Sequence, residues 1–355
     1  YSKSSKTQTE QKDPGRNFMG VFAVEIPLQE FERAAQRLKG VLHHTELDLS
    51  ATFSAMTGGN IYLKYENSQK TGSFKIRGAS NKIAALVERG ETGAVVASSA
   101  GNHAQGVAYA AHRFGIPATI VMPKTAPIAK AKATEGYGAN VVLAGDCYDD
   151  AYAKACEICE QEHATFLHPY NDPEVIAGQG TLGLEILGDL PTADIVIVPA
   201  GGGGLLAGVA ACIKQINPRV QVIGVQAAGA DASAQSVHSH SYVQTDAVAT
   251  MADGIAVKAP GDITVPLIQK YADDVVTVSD LEISEAVLLL MERCKQIVEP
   301  SGAAPVAAVL KGKVDVNGKN VVCLLSGGNS DVSFIQCIIE QGLVSRHRRL
   351  RFTVT

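Results

Sequence analysis

The 355-residue chain is 46% hydrophobic and 19% charged and carries 34 glycines, which bounds it as a loop-rich globular protein of two domains or one large one. A net charge of −5 with interspersed signs excludes nucleic acid and anionic membrane as main partners. Seven cysteines, an odd number scattered through apolar segments, read as reduced thiols of a cytoplasmic protein, with an organelle left open because the chain starts at Tyr1 rather than methionine.

Residues 1–24 are polar, with Lys3, Lys6, Lys12 and Arg16 among Ser, Thr and Gln, and read as disordered. An amphipathic helix is expected over Pro27–Leu38, on Leu28, Phe31, Ala34, Ala35 and Leu38. Leu47–Thr57 reads as a connection to a strand at Ile61–Tyr65, which leads into Thr71-Gly72-Ser73-Phe74-Lys75-Ile76-Arg77-Gly78-Ala79 and a helix. Short strands then alternate with helices: strands at 94–98, 118–122 and 140–143, helices at 102–115, 127–137 and 149–162. A second set has helices at 174–188, 204–216, 281–297 and 331–342, with strands at 194–198, 220–226, 275–278 and 321–325. Alternation at this spacing predicts parallel sheets with helices on both faces. The uncharged run Ile195–Ile213 is divided by Pro199 and four glycines into a strand and a helix, so no membrane span is expected. In the less regular interval 227–265, His238 and His240 sit in a Ser/Gln-rich loop with no acidic or thiol partner nearby in sequence, and read as solvated. Cys156, Cys159 and His163 share a helix face, but with Ala151 and Ala155 beside them Cys156 reads as core rather than as a zinc ligand. Leu350–Val354 alternates like a strand after the basic run 346–349.

Four stretches carry chemistry. Lys75 follows a Thr-Gly turn and is flanked by Phe74 and Ile76; a partly desolvated amine has a lowered pKa and can form a Schiff base with an aldehyde, although a helix-start lysine with no chemistry looks similar. Ser98-Ser99-Ala100-Gly101-Asn102-His103 joins a strand to a helix, so its N–H groups suit a carboxylate and the Asn102 amide a phenolate oxygen. Gly201-Gly202-Gly203-Gly204-Leu205 joins another strand to a helix without the lysine of a P-loop or the spacing of a dinucleotide fingerprint, and suits a single phosphate. Ser326, in Leu325-Ser326-Gly327-Gly328-Asn329, offers a neutral hydroxyl to a ring nitrogen. An aldehyde, a phosphate, a phenolate and a pyridine nitrogen together describe pyridoxal 5′-phosphate.

With that set, and with Ile176–Thr181, Ala252–Val257 and Glu299–Gly302, the chain resembles over residues 25–345 the fold-type II pyridoxal-phosphate enzymes, most closely the threonine/serine dehydratases (ammonia-lyases) and the related serine racemases. The resemblance implies an α/β fold of two open, twisted, mostly parallel sheets with helices on both faces, similar to the tryptophan synthase β subunit. It also implies a cofactor domain of residues 25–93 plus 172–345, a small mobile domain of 94–171, and a tail of 346–355 where longer relatives begin a regulatory domain. Lys75 would carry the cofactor and serve as catalytic base, Phe74 lie against its ring, Asn102 bind O3′, Gly201 to Gly204 with Leu205 hold the phosphate, and Ser326 face the ring nitrogen. Ser99, Asn102 and His103 would receive the substrate carboxylate. The implied reaction is β-elimination of water from L-threonine, and from L-serine, giving 2-oxobutanoate or pyruvate and ammonia, in a homodimer or homotetramer.

Two departures matter. Serine racemases have a serine where this chain has Ala100, and racemisation needs acid–base groups on both faces of Cα, which favours a dehydratase. Relatives that bind a divalent cation use two carboxylates where this chain has Gln226 and Ala232, with Asp231 adjacent, so no metal is expected. A serine racemase, a dehydratase of another β-hydroxy amino acid such as 3-hydroxyaspartate, and a catalytically silent regulatory homologue are the alternatives.

Overall fold

The computed structural model describes residues 24–350 and 352. The segment expected to be disordered lies outside these but for Val24, as do Arg351 and residues 353–355; Leu350 and Phe352 are exposed and belong to neither helix nor strand. The strands are β1 (Leu47–Leu49), β2 (Asn60–Tyr65), β3 (Val95–Ser98), β4 (Ala118–Met122), β5 (Asn140–Leu143), β6 (Thr165–Phe166), β7 (Ile195–Pro199), β8 (Gln221–Ala227), β9 (Asp274–Val278) and β10 (Asn320–Leu325). They form a six-stranded sheet ordered β1-β2-β10-β7-β8-β9 and a four-stranded sheet ordered β5-β4-β3-β6. Every pairing is parallel except β1 with β2. The fold is therefore α/β with two mostly parallel sheets.

Side chains alternate across a strand, and both faces of these sheets are covered. In β7, Ile195 and Ile197 join a core built with helices Asp280–Leu289 and Pro300–Leu310. Val196 and Val198 join the opposite core, built with helices Leu28–Leu38, Pro173–Asp189 and Gly204–Ile216. In the smaller sheet Val95 and Ala97 pack on helices Lys75–Glu88 and Asn102–Phe114, while Val96 faces helix Tyr148–Glu162. Strands buried on both faces read as continuous apolar runs, which is why their positions match expectation closely.

Several local expectations change. Leu47–Thr57 holds β1 and a short helix, Ala51–Thr57, whose first turn is capped by Ser50 Oγ accepting from the Phe53 N–H. The helix expected over 281–297 ends earlier, passing through one π-helical turn at Leu290–Cys294 and stopping at Lys295, whose φ of 59° is left-handed. His238 does have an acidic neighbour: it ends helix Ala232–His238 and its Nε2 lies 2.9 Å from Asp274 Oδ1. Ala151 and Ala155 are buried as core, but Cys156 is only half-buried and Cys159 is the cysteine that packs there. All seven cysteines are free thiols. Among the described residues no helix is long and apolar enough to cross a membrane.

Candidate active site

The lysine stretch is locked to the C-terminal end of β10. Ser73 forms a β-bridge with Gly327, and the Phe74 N–H donates to the Ser326 carbonyl at 3.0 Å. Lys75 then opens helix Lys75–Glu88, which packs against both helix Asn102–Phe114 and helix Pro173–Asp189. Its Nζ donates to the Pro169 carbonyl at 2.9 Å and sits 5.2 Å from the centre of the Phe74 ring. Burial pushes this amine down to about 8, partly opposed by the nearby Glu299 carboxylate.

Lys75 faces a cavity of about 660 Å³ at the C-terminal ends of strands from both sheets, where open α/β folds bind ligands. All the residues assigned from the sequence to the cofactor and the substrate carboxylate line it: Phe74, Ser99, Asn102 and His103 on the Lys75 and β3 side, and Gly201 to Gly204, Leu205 and Ser326 on the other. The turn after β7 needs glycine at Gly203, whose φ is 94° and whose added Cβ would meet Thr264 Oγ1 at 2.7 Å. The Gly201 and Gly202 carbonyls are taken by the hydroxyls of Ser233 (2.8 Å) and Thr264 (2.6 Å). The first N–H groups of helix Gly204–Ile216 have no partner within the helix, a setting for an anion.

Opposite, the Gly101 N–H donates to Ser99 Oγ at 3.1 Å at the start of helix Asn102–Phe114. His103 is buried and bonded through Nε2 to the Leu167 carbonyl at 2.9 Å. A carbonyl only accepts, so Nε2 carries the proton; burial, reinforced by the Lys75 charge, pushes the imidazole down to about 3 and keeps it neutral. Ala100 lines the cavity with a methyl group. Gln226 is buried in the large sheet, its Oε1 accepting from the Ala234 N–H at 2.7 Å.

One site residue drew no role from sequence. Glu299 is buried at the start of helix Pro300–Leu310, and both carboxylate oxygens accept from Asn102 Nδ2, at 2.9 and 3.0 Å. Burial and the Asp253 charge push its carboxyl up to about 7, against the pull of Asn102, Lys130 and Lys75. Its position beside Pro300 and a glycine-bearing segment was visible, but nothing local connects it with Asn102, 197 positions away.

The cavity suits pyridoxal phosphate. Ser98 Oγ, Ser301 Oγ and His103 Nδ1 line it buried and without hydrogen-bond partners, and unpaired buried polar groups at a cavity call for a ligand with several polar atoms. A lysine amine of lowered pKa and a phosphate-sized glycine turn share the same space.

Residues 39–327 match the family model described as pyridoxal-phosphate dependent enzyme. An L-threonine ammonia-lyase of Thermotoga maritima is 53% identical over 325 residues, covering 92% of this chain and 81% of the relative. A catabolic L-threonine dehydratase of Escherichia coli is 46% identical over 319 residues, 89% of this chain and 97% of the relative. Among solved structures, maize serine racemase superposes with a TM-score of 0.84 at 35% identity, covering 92% of this chain and 100% of that one. The processed threonine deaminase isoform 2 of Solanum lycopersicum gives 0.83 at 38% identity, covering 88% of each.

Proposed function

Because the chain belongs to the pyridoxal-phosphate dependent enzyme family, we propose that it is a threonine ammonia-lyase, eliminating water from L-threonine, and from L-serine, to give the 2-oxo acid and ammonia. The observation that carries this is the enclosed Lys75 amine facing a glycine turn and a neutral serine across one cavity. Lys75 would hold the cofactor, Phe74 would lie against its ring, Asn102 would contact O3′, the 201–205 turn would hold its phosphate and Ser326 would meet the ring nitrogen. Bound there, pyridoxal phosphate supplies a conjugated system that accepts the electron pair left when the Cα–H bond breaks.

The rest falls to the protein. A neutral Lys75 amine is the base that takes the Cα proton, and its depressed pKa makes that form far more accessible near neutral pH than in an ordinary lysine. The Ser99–His103 turn binds the substrate carboxylate through helix-start N–H groups. Ser326, being uncharged, would meet the ring nitrogen without giving it a proton, a setting that suits elimination rather than transamination. Ala100 offers no acid–base group at the position where serine racemases carry a serine, which supports elimination over racemisation.

We also propose that residues 94–171 move as a unit over the substrate, and that the enzyme is a cytoplasmic homodimer or homotetramer; light scattering of the purified protein tests the assembly. The decisive assay is 2-oxo acid formation from a panel of L-β-hydroxy amino acids with Lys75→Ala as control. Turnover of L-threonine and L-serine that Lys75→Ala abolishes is expected. Activity surviving that substitution, or conversion of L- to D-serine as fast as pyruvate forms, would overturn the proposal.

A further inference from the structure

Asn102 is the one cavity amide given to the cofactor oxygen, and an amide works in only one orientation: its NH₂ must face the ligand and its carbonyl must face away. A primary amide is nearly symmetric in shape, so packing alone does not choose between the two. The choice has to come from neighbours that can only donate or only accept.

Such a chain of neighbours exists. The Thr71 carbonyl only accepts, and it takes Asn329 Nδ2 at 2.7 Å. This fixes which end of the Asn329 amide carries nitrogen. The same nitrogen donates to Asn102 Oδ1 at 2.8 Å, so Asn102 must present oxygen on that side. Its Nδ2 is thereby turned to Glu299, whose two oxygens accept it at 2.9 and 3.0 Å. One N–H directed between the two carboxylate oxygens serves both, so the second N–H of Asn102 is left for a ligand. Gly72 is part of the device: with φ at 71°, its added Cβ would stand 2.4 Å from Asn329 Oδ1, and its carbonyl accepts the Gly328 N–H at 2.9 Å.

We propose that Asn329 and Glu299 are positioning residues that set the polarity of the Asn102 amide, with the signal originating at the Thr71 carbonyl. The inference rests on the pyridoxal-phosphate reading of the site. It assigns a task to the Thr71-Gly72 turn beyond aiming Lys75: the turn also orients the amide across the cavity. Either neighbour alone suffices to hold the orientation, since Asn329 supplies the donor and Glu299 the acceptor.

Asn329→Asp removes the donor and places an acceptor against both Asn102 Oδ1 and the Thr71 carbonyl. The new carboxylate and Glu299 then make opposite demands on Asn102, and the share of molecules with its N–H toward the ligand falls. Asn329→Ala removes the donor without imposing the wrong polarity, and Glu299→Gln can still offer a carbonyl. The test measures pyridoxal phosphate affinity of apoprotein by fluorescence quenching, together with the visible absorption of the bound cofactor, in the full chain. Leaving a buried polar group mispaired is expected to weaken binding about tenfold or more in Asn329→Asp and to shift the absorption band, while Asn329→Ala and Glu299→Gln each lose under about threefold and keep the band. The double variant Asn329→Ala with Glu299→Gln, in which no neighbour dictates polarity, is expected to lose more than the product of the two single losses. Asn329→Asp binding as well as Asn329→Ala would overturn the proposal; if Asn329→Asp does not fold, strict additivity in the double variant would do so. Should the unsubstituted protein not bind pyridoxal phosphate at all, the reading of the site fails, a result distinct from either of these.

Discussion

Glu299→Gln provides a test of how the lysine is tuned. The Lys75 amine is pushed down from 10.5 to about 8 by burial, and the Glu299 carboxylate is the influence holding it up. At pH 8 about half the amine is neutral, against about 0.3% for an ordinary lysine. Removing the carboxylate removes a stabiliser of the ammonium, so the midpoint must fall below about 8. At pH 7 about a tenth of the wild-type amine is neutral, and the neutral fraction cannot exceed one. The variant should therefore take up cofactor faster at pH 7 by a factor between one and about ten. Above about pH 9 the lysine is mostly neutral in both proteins and the advantage disappears. The assay is stopped-flow absorbance of apoprotein mixed with pyridoxal phosphate from pH 6.5 to 9.5, read as the ratio of variant to wild-type rate, in which the cofactor's own titrations cancel. A ratio that does not decline with pH, or that lies below one at pH 7, would refute the electrostatic coupling of Lys75 to Glu299.

Arg77→Met is expected to destabilise the apoprotein by about 3–5 kcal/mol, because it strips the cation from Glu66, which is fully buried and held by paired bonds at 2.7 and 2.8 Å; urea unfolding with an unchanged slope measures it. Gly203→Ala forces an alanine to a φ of 94° against Thr264, a strain of about 1–3 kcal/mol, and should weaken pyridoxal phosphate binding about fivefold or more by fluorescence titration while the fold survives. Ala100→Ser places a hydroxyl on the cavity wall; measurable D-serine from L-serine by chiral chromatography is the expected gain, with 2-oxo acid formation retained.

What the sequence made legible follows from burial geometry. The β7 run Ile195–Pro199 and the glycines after it could be recognised because a strand covered on both faces is uniformly apolar and its ligand turn is short and local. Helix Pro300–Leu310 escaped for a related reason: positions 300–309 are all buried, so it has no polar face, and Pro305 lies inside it. The three-residue β1 and the short helices Ala232–His238 and Thr264–Tyr271 offer too few residues for a period to emerge. The cavity residues on glycine turns could be read because one residue type at one turn carries the signal. The Asn102–Glu299–Asn329 contacts could not, since they exist only after three separate segments meet.

Two of the buried carboxylates, Glu66 and Glu299, show why such contacts separate into structure and function. Glu66 is enclosed with a guanidinium that it grips with both oxygens, and Thr45 Oγ1 donates to it as well at 2.7 Å. Burial alone would lower the Arg77 pKa, but Glu66 and Glu185 reverse this and raise it, so the guanidinium stays charged. Glu299 is buried too, yet its hydrogen-bond donor is a neutral amide, and the cations that favour its charged form are Lys130 and a Lys75 that burial is itself discharging. A carboxyl held at about 7 beside an amine held at about 8 leaves both groups titrating within the working range of an enzyme. Replacing Glu66 should therefore be felt as lost stability, and replacing Glu299 as a changed pH profile of Lys75. Measuring both on both variants separates the roles, because an exchange of the two outcomes is incompatible with the hydrogen bonds each carboxylate makes.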